Sequence, residues 1–168
     1  MARKPTIYLD TTIPTMMFYY GHDILTLGRH VATREWWDGE REHFQLLSSV
    51  VTENELVAGD YPWQKDALAL ARRIPYLPFT AEMRERARFY LRERIVPDTK
   101  GGDALQLAFA TVYQVDYLLS WNHAHLANAD TQARLRELCQ REAWRCPFLV
   151  TPDTIPKVAL GQQIRRRD

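Results

Sequence analysis

Long apolar runs are missing from this sequence. Nothing in it approaches the roughly 20 consecutive apolar residues of a membrane-crossing helix, so no membrane span is expected. The apolar stretch after Met1-Ala2-Arg3-Lys4-Pro5 is too short for the hydrophobic region of a secretory signal, and a cytoplasmic setting is expected. Cysteine is scarce. The two present, Cys139 and Cys146, have no metal-ligand spacing, which favours reduced thiols over a disulfide or a zinc site. Charge of one sign is lacking as well: the formal net charge is +1, without the basic excess of a general nucleic-acid binder. Any contact with RNA or DNA therefore has to be local. The one sharp basic cluster, Arg165-Arg166-Arg167, ends the chain and reads as a solvated tail.

The 168 residues, 46% of them hydrophobic and 26% charged, suit one globular domain over residues 1–155 followed by a basic tail over 156–168. A chain of this size buries roughly 70% of its unfolded surface, enough for a substantial core. There is no internal repeat and no low-complexity segment.

The chain is organised around its first apolar segment. Ile7-Tyr8-Leu9 reads as a buried strand, and Asp10-Thr11-Thr12-Ile13-Pro14 ends it, because Pro14 cannot donate to a ladder and suits the first turn of a helix. Asp10 is thereby delivered to the carboxyl end of a strand, where open α/β sheets place their ligands. A helix is expected over about 25–42, then a strand over Phe44–Val51. Thr52-Glu53-Asn54-Glu55 matches a capping box with Thr52 as the cap and Glu55 at the third helical position. Gly59-Asp60-Tyr61-Pro62 ends that helix and begins another, which stops at Pro75; Tyr76–Phe79 is an edge segment.

Thr80 caps a charged helix running through Arg94, whose apolar positions Met83, Ala87, Tyr90, Leu91 and Ile95 form one buried face. Asp103 opens a helix that is apolar nearly all round, the mark of burial between layers. Tyr117–Ser120 is the next strand, ending in Trp121-Asn122-His123. A helix over about 130–145 and a short strand over Pro147–Pro152 complete the pattern. Strands alternating with helices predict an α/β fold of three layers, α/β/α, with a mainly parallel central sheet.

Three carboxylates fall at comparable boundaries: Asp10, Glu55 and Asp103, with Asn122 after the fourth expected strand. In a parallel sheet these positions converge on one edge. Carboxylates held close repel one another, and a hard divalent cation with oxygen ligands relieves that repulsion. Such a cation activates water and neutralises charge growing on a phosphodiester, so phosphodiester hydrolysis is the matching reaction. Each residue also has a plainer role: Glu55 in the capping box, Asp103 as a helix cap, Asn122 as a turn residue.

Tyr8-Leu9-Asp10-Thr11-Thr12, Ser49-Val50-Val51-Thr52-Glu53-Asn54-Glu55-Leu56, Asp103-Ala104-Leu105-Gln106-Leu107-Ala108 and Leu118-Leu119-Ser120-Trp121-Asn122 together resemble the PIN-domain family, of the kind found in VapC-like toxins. The resemblance spans roughly residues 6–151. It implies a parallel α/β/α sheet, an acidic site for Mg²⁺ or Mn²⁺, and endoribonuclease activity on RNA. Asp10, Glu55 and Asp103 match the family's three main acids. Asn122 matches a fourth position where many relatives carry Asp, which implies a site residue whose amide ligates the metal or orients a metal-bound water while adding no negative charge. Gln106 stands where similar sequences often have His, and no role follows for it. Glu53 competes with Glu55, but two residues apart on a helix they cannot share a face.

His123 and His125 flank Asn122 without ligand spacing to a Cys or Glu, and read as groups beside the site or on the surface. Trp36-Trp37 suits packing better than base stacking. Arg84, Arg88 and Arg92 alternate with acids, as on a solvated face. The expectation is a metal-dependent, single-strand-preferring ribonuclease, with an antitoxin-like protein and a homodimer as candidate partners. The alternative is a catalytically weak PIN-like module that binds RNA or protein. A haloacid-dehalogenase-like phosphotransferase would need a second Asp two residues after Asp10, where this chain has Thr12.

Overall fold

The computed structural model describes residues 3–97 and 99–157. It is an α/β fold in which four parallel strands, β1 (Thr6–Leu9), β2 (Gln45–Leu47), β3 (Tyr117–Leu119) and β4 (Phe148–Val150), form one sheet in the order β2-β1-β3-β4. Seven α-helices accompany them among the described residues: α1 (Thr12–Met17), α2 (Ile24–Gly39), α3 (Val50–Ala58), α4 (Gln64–Ala71), α5 (Ala81–Arg92), α6 (Gly101–Val112) and α7 (Ala129–Arg141). No helix among the described residues is long and apolar enough to cross a membrane.

Strand alternation sorts the core into two layers. In β1 the side chains of Ile7 and Leu9 pack with Trp36, Phe44 and Leu119 on one face. Tyr8 joins Leu118 and the buried residues of α5, α6 and α7 on the other. The three-layer expectation therefore holds, and α6 carries most of the second layer: Ala104 and every residue from Gln106 to Thr111 are buried. Register aligns Tyr8 with Leu47 on one side and with Leu118 on the other.

The amino edge of the sheet is clamped by Asp116. Its Oδ2 accepts from the Thr6 N–H at 2.7 Å and the Thr6 hydroxyl at 2.9 Å, and its backbone C=O accepts from the Phe148 N–H at 3.0 Å. Arg3 and Arg145 pair with the same carboxylate. Burial alone would raise its pKa, but these hydrogen bonds and cations hold it below the ordinary carboxylate range.

Several local expectations need correction. The strand expected over 44–51 is confined to Gln45–Leu47, and Ser49 rather than Thr52 caps the following helix, its side chain accepting from the Val51 N–H. Thr52 lies inside α3, its hydroxyl 3.3 Å from the Leu9 carbonyl and 3.2 Å from Gln106 Oε1. The capping-box role of Glu55 disappears with that shift. Helix α6 opens at Gly101, so Asp103 sits in its first turn and is not its cap. The expected helix over 25–42 divides into α2 and a 3₁₀ turn at Arg41–His43, α5 stops at Arg92 and receives no capping bond from the Thr80 side chain, α7 stops at Arg141 instead of 145, and the last strand is confined to Phe148–Val150. The Tyr76 edge segment makes only an isolated parallel bridge to Ser48. The tail arginines lie outside the described residues.

Candidate functional site at the carboxyl edge of the sheet

The connection from β1 leads to β2 on one side, and the chain then crosses to β3 on the other side of β1. A crevice opens outside the carboxyl ends of strands where their connections diverge in this way. Asp10 directly follows β1 and Ser120 directly follows β3, with Asn122 two residues further on, so all three lie at the carboxyl end of the sheet where such folds place their ligands.

Asp10 is 3% exposed. Its Oδ1 accepts from the Thr12 N–H at 2.9 Å and the Thr12 hydroxyl at 2.5 Å, and its Oδ2 accepts from the Ser120 hydroxyl. Thr12 in turn accepts from the Trp121 N–H at 2.8 Å, tying the ends of β1 and β3 together. None of the groups bonded to Asp10 is cationic. Burial pushes its pKa up from 3.8 to about 7 against those hydrogen bonds, and the charge of Glu55 adds to the rise.

Glu55 projects from α3 toward α6. Its Oε2 accepts from the Thr11 hydroxyl and, at 2.9 Å, from Gln106 Nε2. Gln106 is 2% exposed, and its Oε1 accepts from the Tyr8 hydroxyl at 2.6 Å. Ser49 donates to Tyr8 in the arrangement that also lets it accept from the Val51 N–H. Burial drives the Tyr8 phenol far above its ordinary pKa, which keeps it a donor. The Gln106 amide is thus oriented: its oxygen faces a phenol proton, so its NH₂ faces Glu55. Glu53 points elsewhere, to Arg72 at 2.6 Å, which settles the competition between the two glutamates in favour of Glu55 at this edge.

Asp103, in the first turn of α6, accepts from Asn122 Nδ2 at 3.1 Å through Oδ1 and meets His125 Nδ1 at 2.8 Å through Oδ2. The Asn122 side-chain oxygen accepts from the His125 N–H at 3.1 Å, and the Asn122 N–H donates to Ser120 Oγ at 2.9 Å. Two chains of hydrogen bonds result. One runs Asp10, Ser120, Asn122, Asp103, His125; the other runs Glu55, Thr11 and Gln106 to Tyr8.

The expected residues therefore share one edge, but each carboxylate is held by its own local donors. Among the described residues no three His, Cys, Asp or Glu side chains are grouped closely enough to hold a metal ion together. The donor set nevertheless fits a hard cation: it is all oxygen, and Asp10 is a buried carboxylate with no bonded positive partner. A Cβ added at Gly102 would collide with Glu55 Oε1, so the missing side chain leaves room for the carboxylate between α3 and α6.

Residue-by-residue reading of the sequence missed Thr11, Thr12, Ser120 and Gln106. For Gln106 a signal existed, since it is the lone polar side chain between Ala104 and Ala110. His125 adjoins the site through Asp103, whereas His123 is exposed and bonds the Ala127 carbonyl at 3.1 Å. Trp36 is buried against Trp37 and Phe44, a packing role. Both cysteines are free thiols. No protein-family model matches the chain, and no curated protein matches it.

Proposed function

We propose that the protein is a divalent-metal-dependent endoribonuclease that hydrolyses RNA phosphodiester bonds, with Asp10, Glu55 and Asp103 as the ligands for Mg²⁺ or Mn²⁺ and Asn122 beside them. The observation that carries this reading is the buried, cation-free Asp10 carboxylate at the point where the strand connections diverge, with Glu55 and the Asn122–Asp103 pair brought to the same edge. A bound divalent cation would supply water activation and neutralisation of charge on the scissile phosphate. The chain's own residues do the rest. Thr12 and Ser120 fix both oxygens of Asp10, and Gln106 with Thr11 holds one oxygen of Glu55, leaving Oε1 next to Gly102. Asn122 and His125 hold Asp103. Preset carboxylates lower the reorganisation needed when a cation and a phosphate arrive.

The likeness to PIN-domain toxins supports the same reading and carries a biological setting with it, the toxin of a toxin–antitoxin pair with an antitoxin-like partner. The test is cleavage of a labelled single-stranded RNA in Mg²⁺. Wild type should cut and Asp103→Asn should not while keeping the fold; equal rates in the two would defeat the assignment.

A second reading is a catalytically weak module that binds RNA or protein without metal. It is favoured by the separate satisfaction of each carboxylate and by the uncharged Asn122. It expects no heat on titration with Mn²⁺.

A further inference from the structure

Beside the acidic edge lies a cluster of aromatic rings, rooted through Tyr61 on the small buried cluster of Leu56, Ala67 and Ala71 and exposed at Tyr20. Tyr19 and Tyr20, at the end of the α1 segment, meet Trp63 edge-on, with centroids 4.9 and 5.1 Å apart and interplanar angles of 80° and 70°. Tyr61 adjoins the same indole at 5.4 Å. Tyr20 is 63% exposed, so most of a large ring is presented to solvent.

Two of the rings are anchored by hydrogen bonds. The Tyr19 hydroxyl accepts from the Asp23 N–H at 3.0 Å, and the Tyr61 hydroxyl lies 3.3 Å from Thr15 Oγ1. Thr15 donates to the Thr11 carbonyl at 2.7 Å, and the Thr11 hydroxyl bonds Glu55. A chain of hydrogen bonds from Tyr61 through Thr15 and Thr11 to Glu55 therefore joins the rings to the acidic edge. A single strand lying along that chain of contacts would pass from the carboxylates to the rings.

We propose that Tyr20 and Trp63, braced by Tyr19 and Tyr61, form a stacking subsite for an unpaired nucleobase of the RNA, a step that rests on the ribonuclease reading. An aromatic face accepts any base, so the subsite selects single strands without reading sequence. An aromatic side chain has only two rotatable bonds to order on binding. A base inside a duplex presents no free face to it, which gives a physical cause for a single-strand preference.

The test is fluorescence anisotropy of a labelled eight-nucleotide RNA with the full chain in EDTA at low salt, where cleavage does not intervene. Tyr20→Ala should weaken binding by about tenfold and Tyr20→Phe should not. Wild type should lose a similar factor when one base of the strand is replaced by an abasic site, and Tyr20→Ala should lose no more on that strand. Tyr20 is exposed, so a thermal melt of each variant should match wild type. Unchanged affinity in Tyr20→Ala, or no effect of the abasic site at any position, overturns the subsite and leaves the rings as a protein-contact surface. Absence of RNA binding by wild type overturns it too. Cleavage by Asp103→Asn in Mg²⁺ judges the ribonuclease reading separately: if that variant is inactive while Tyr20→Ala binds normally, the subsite alone is wrong.

Discussion

Gln106 Nε2 donates to Glu55 Oε2 at 2.9 Å, and the same amide accepts the Tyr8 phenol proton through Oε1 at 2.6 Å. A buried amide with both ends committed sets the direction of the carboxylate. Replacing it with leucine removes a donor and an acceptor together and leaves the Tyr8 hydroxyl with Ser49 Oγ as its remaining partner. Gln106→Leu should lose about 1–3 kcal/mol of stability by urea denaturation. Cleavage should fall further than stability does, because Glu55 loses its orientation. An unchanged rate in a folded variant would remove Gln106 from the site.

Gly102 separates function from stability. Alanine is favoured over glycine within a helix by up to about 1 kcal/mol, yet here its Cβ meets Glu55 Oε1. The obstructed atom is the end of a flexible side chain, so the fold adjusts easily. Gly102→Ala should melt within a few degrees of wild type while losing cleavage and Mn²⁺ affinity.

The raised pKa of Asp10 sets a pH dependence. Between the ordinary 3.8 and about 7 the folded chain keeps a proton that the unfolded chain has released. Stability from this group is complete below the ordinary value and is lost as pH rises through the native one, by up to about 4 kcal/mol in the metal-free protein. Urea denaturation in EDTA should show this decline, and Asp10→Asn should flatten it. Mg²⁺ should restore stability at pH 8 and have little effect at pH 5, because cation and proton compete for one carboxylate.

Asp116 has the opposite sign. Its native pKa is lowered, so its contribution is complete above the unfolded value of 3.8 and is lost as pH falls through the native value. Asp116→Asn should cost about 1–3 kcal/mol at pH 7 and progressively less toward pH 3, with RNA cleavage retained. A cleavage defect larger than the stability loss would mean that the amino edge of the sheet also serves the site.

The three-layer fold was readable because β1 and α6 announce themselves, one as a short apolar run stopped by Asp10 and Pro14, the other by apolar residues all round. The start of α3 was misread, since Val50 and Val51 extend a strand pattern that Ser49 has already ended by capping a helix. Once that boundary moves, Glu55 loses its alternative use and Thr52 turns inward. Asp10, Glu55, Asp103 and Asn122 could be marked from their places at element ends. The hydroxyls and the amide that hold them could not, because such contacts join residues as far apart as Asp10 and Ser120 or Tyr8 and Gln106. The aromatic cluster was invisible for the same reason: Tyr20 and Trp63 share no local pattern and meet only in the fold.

The central claim is that Asp10, Glu55 and Asp103 together hold a divalent cation. Calorimetric titration of Mn²⁺ into wild type and Asp103→Asn at pH 8 tests it most directly. Saturable heat with wild type, lost or strongly weakened in the variant, is the predicted result; no heat with wild type, or equal affinity in both, would contradict it.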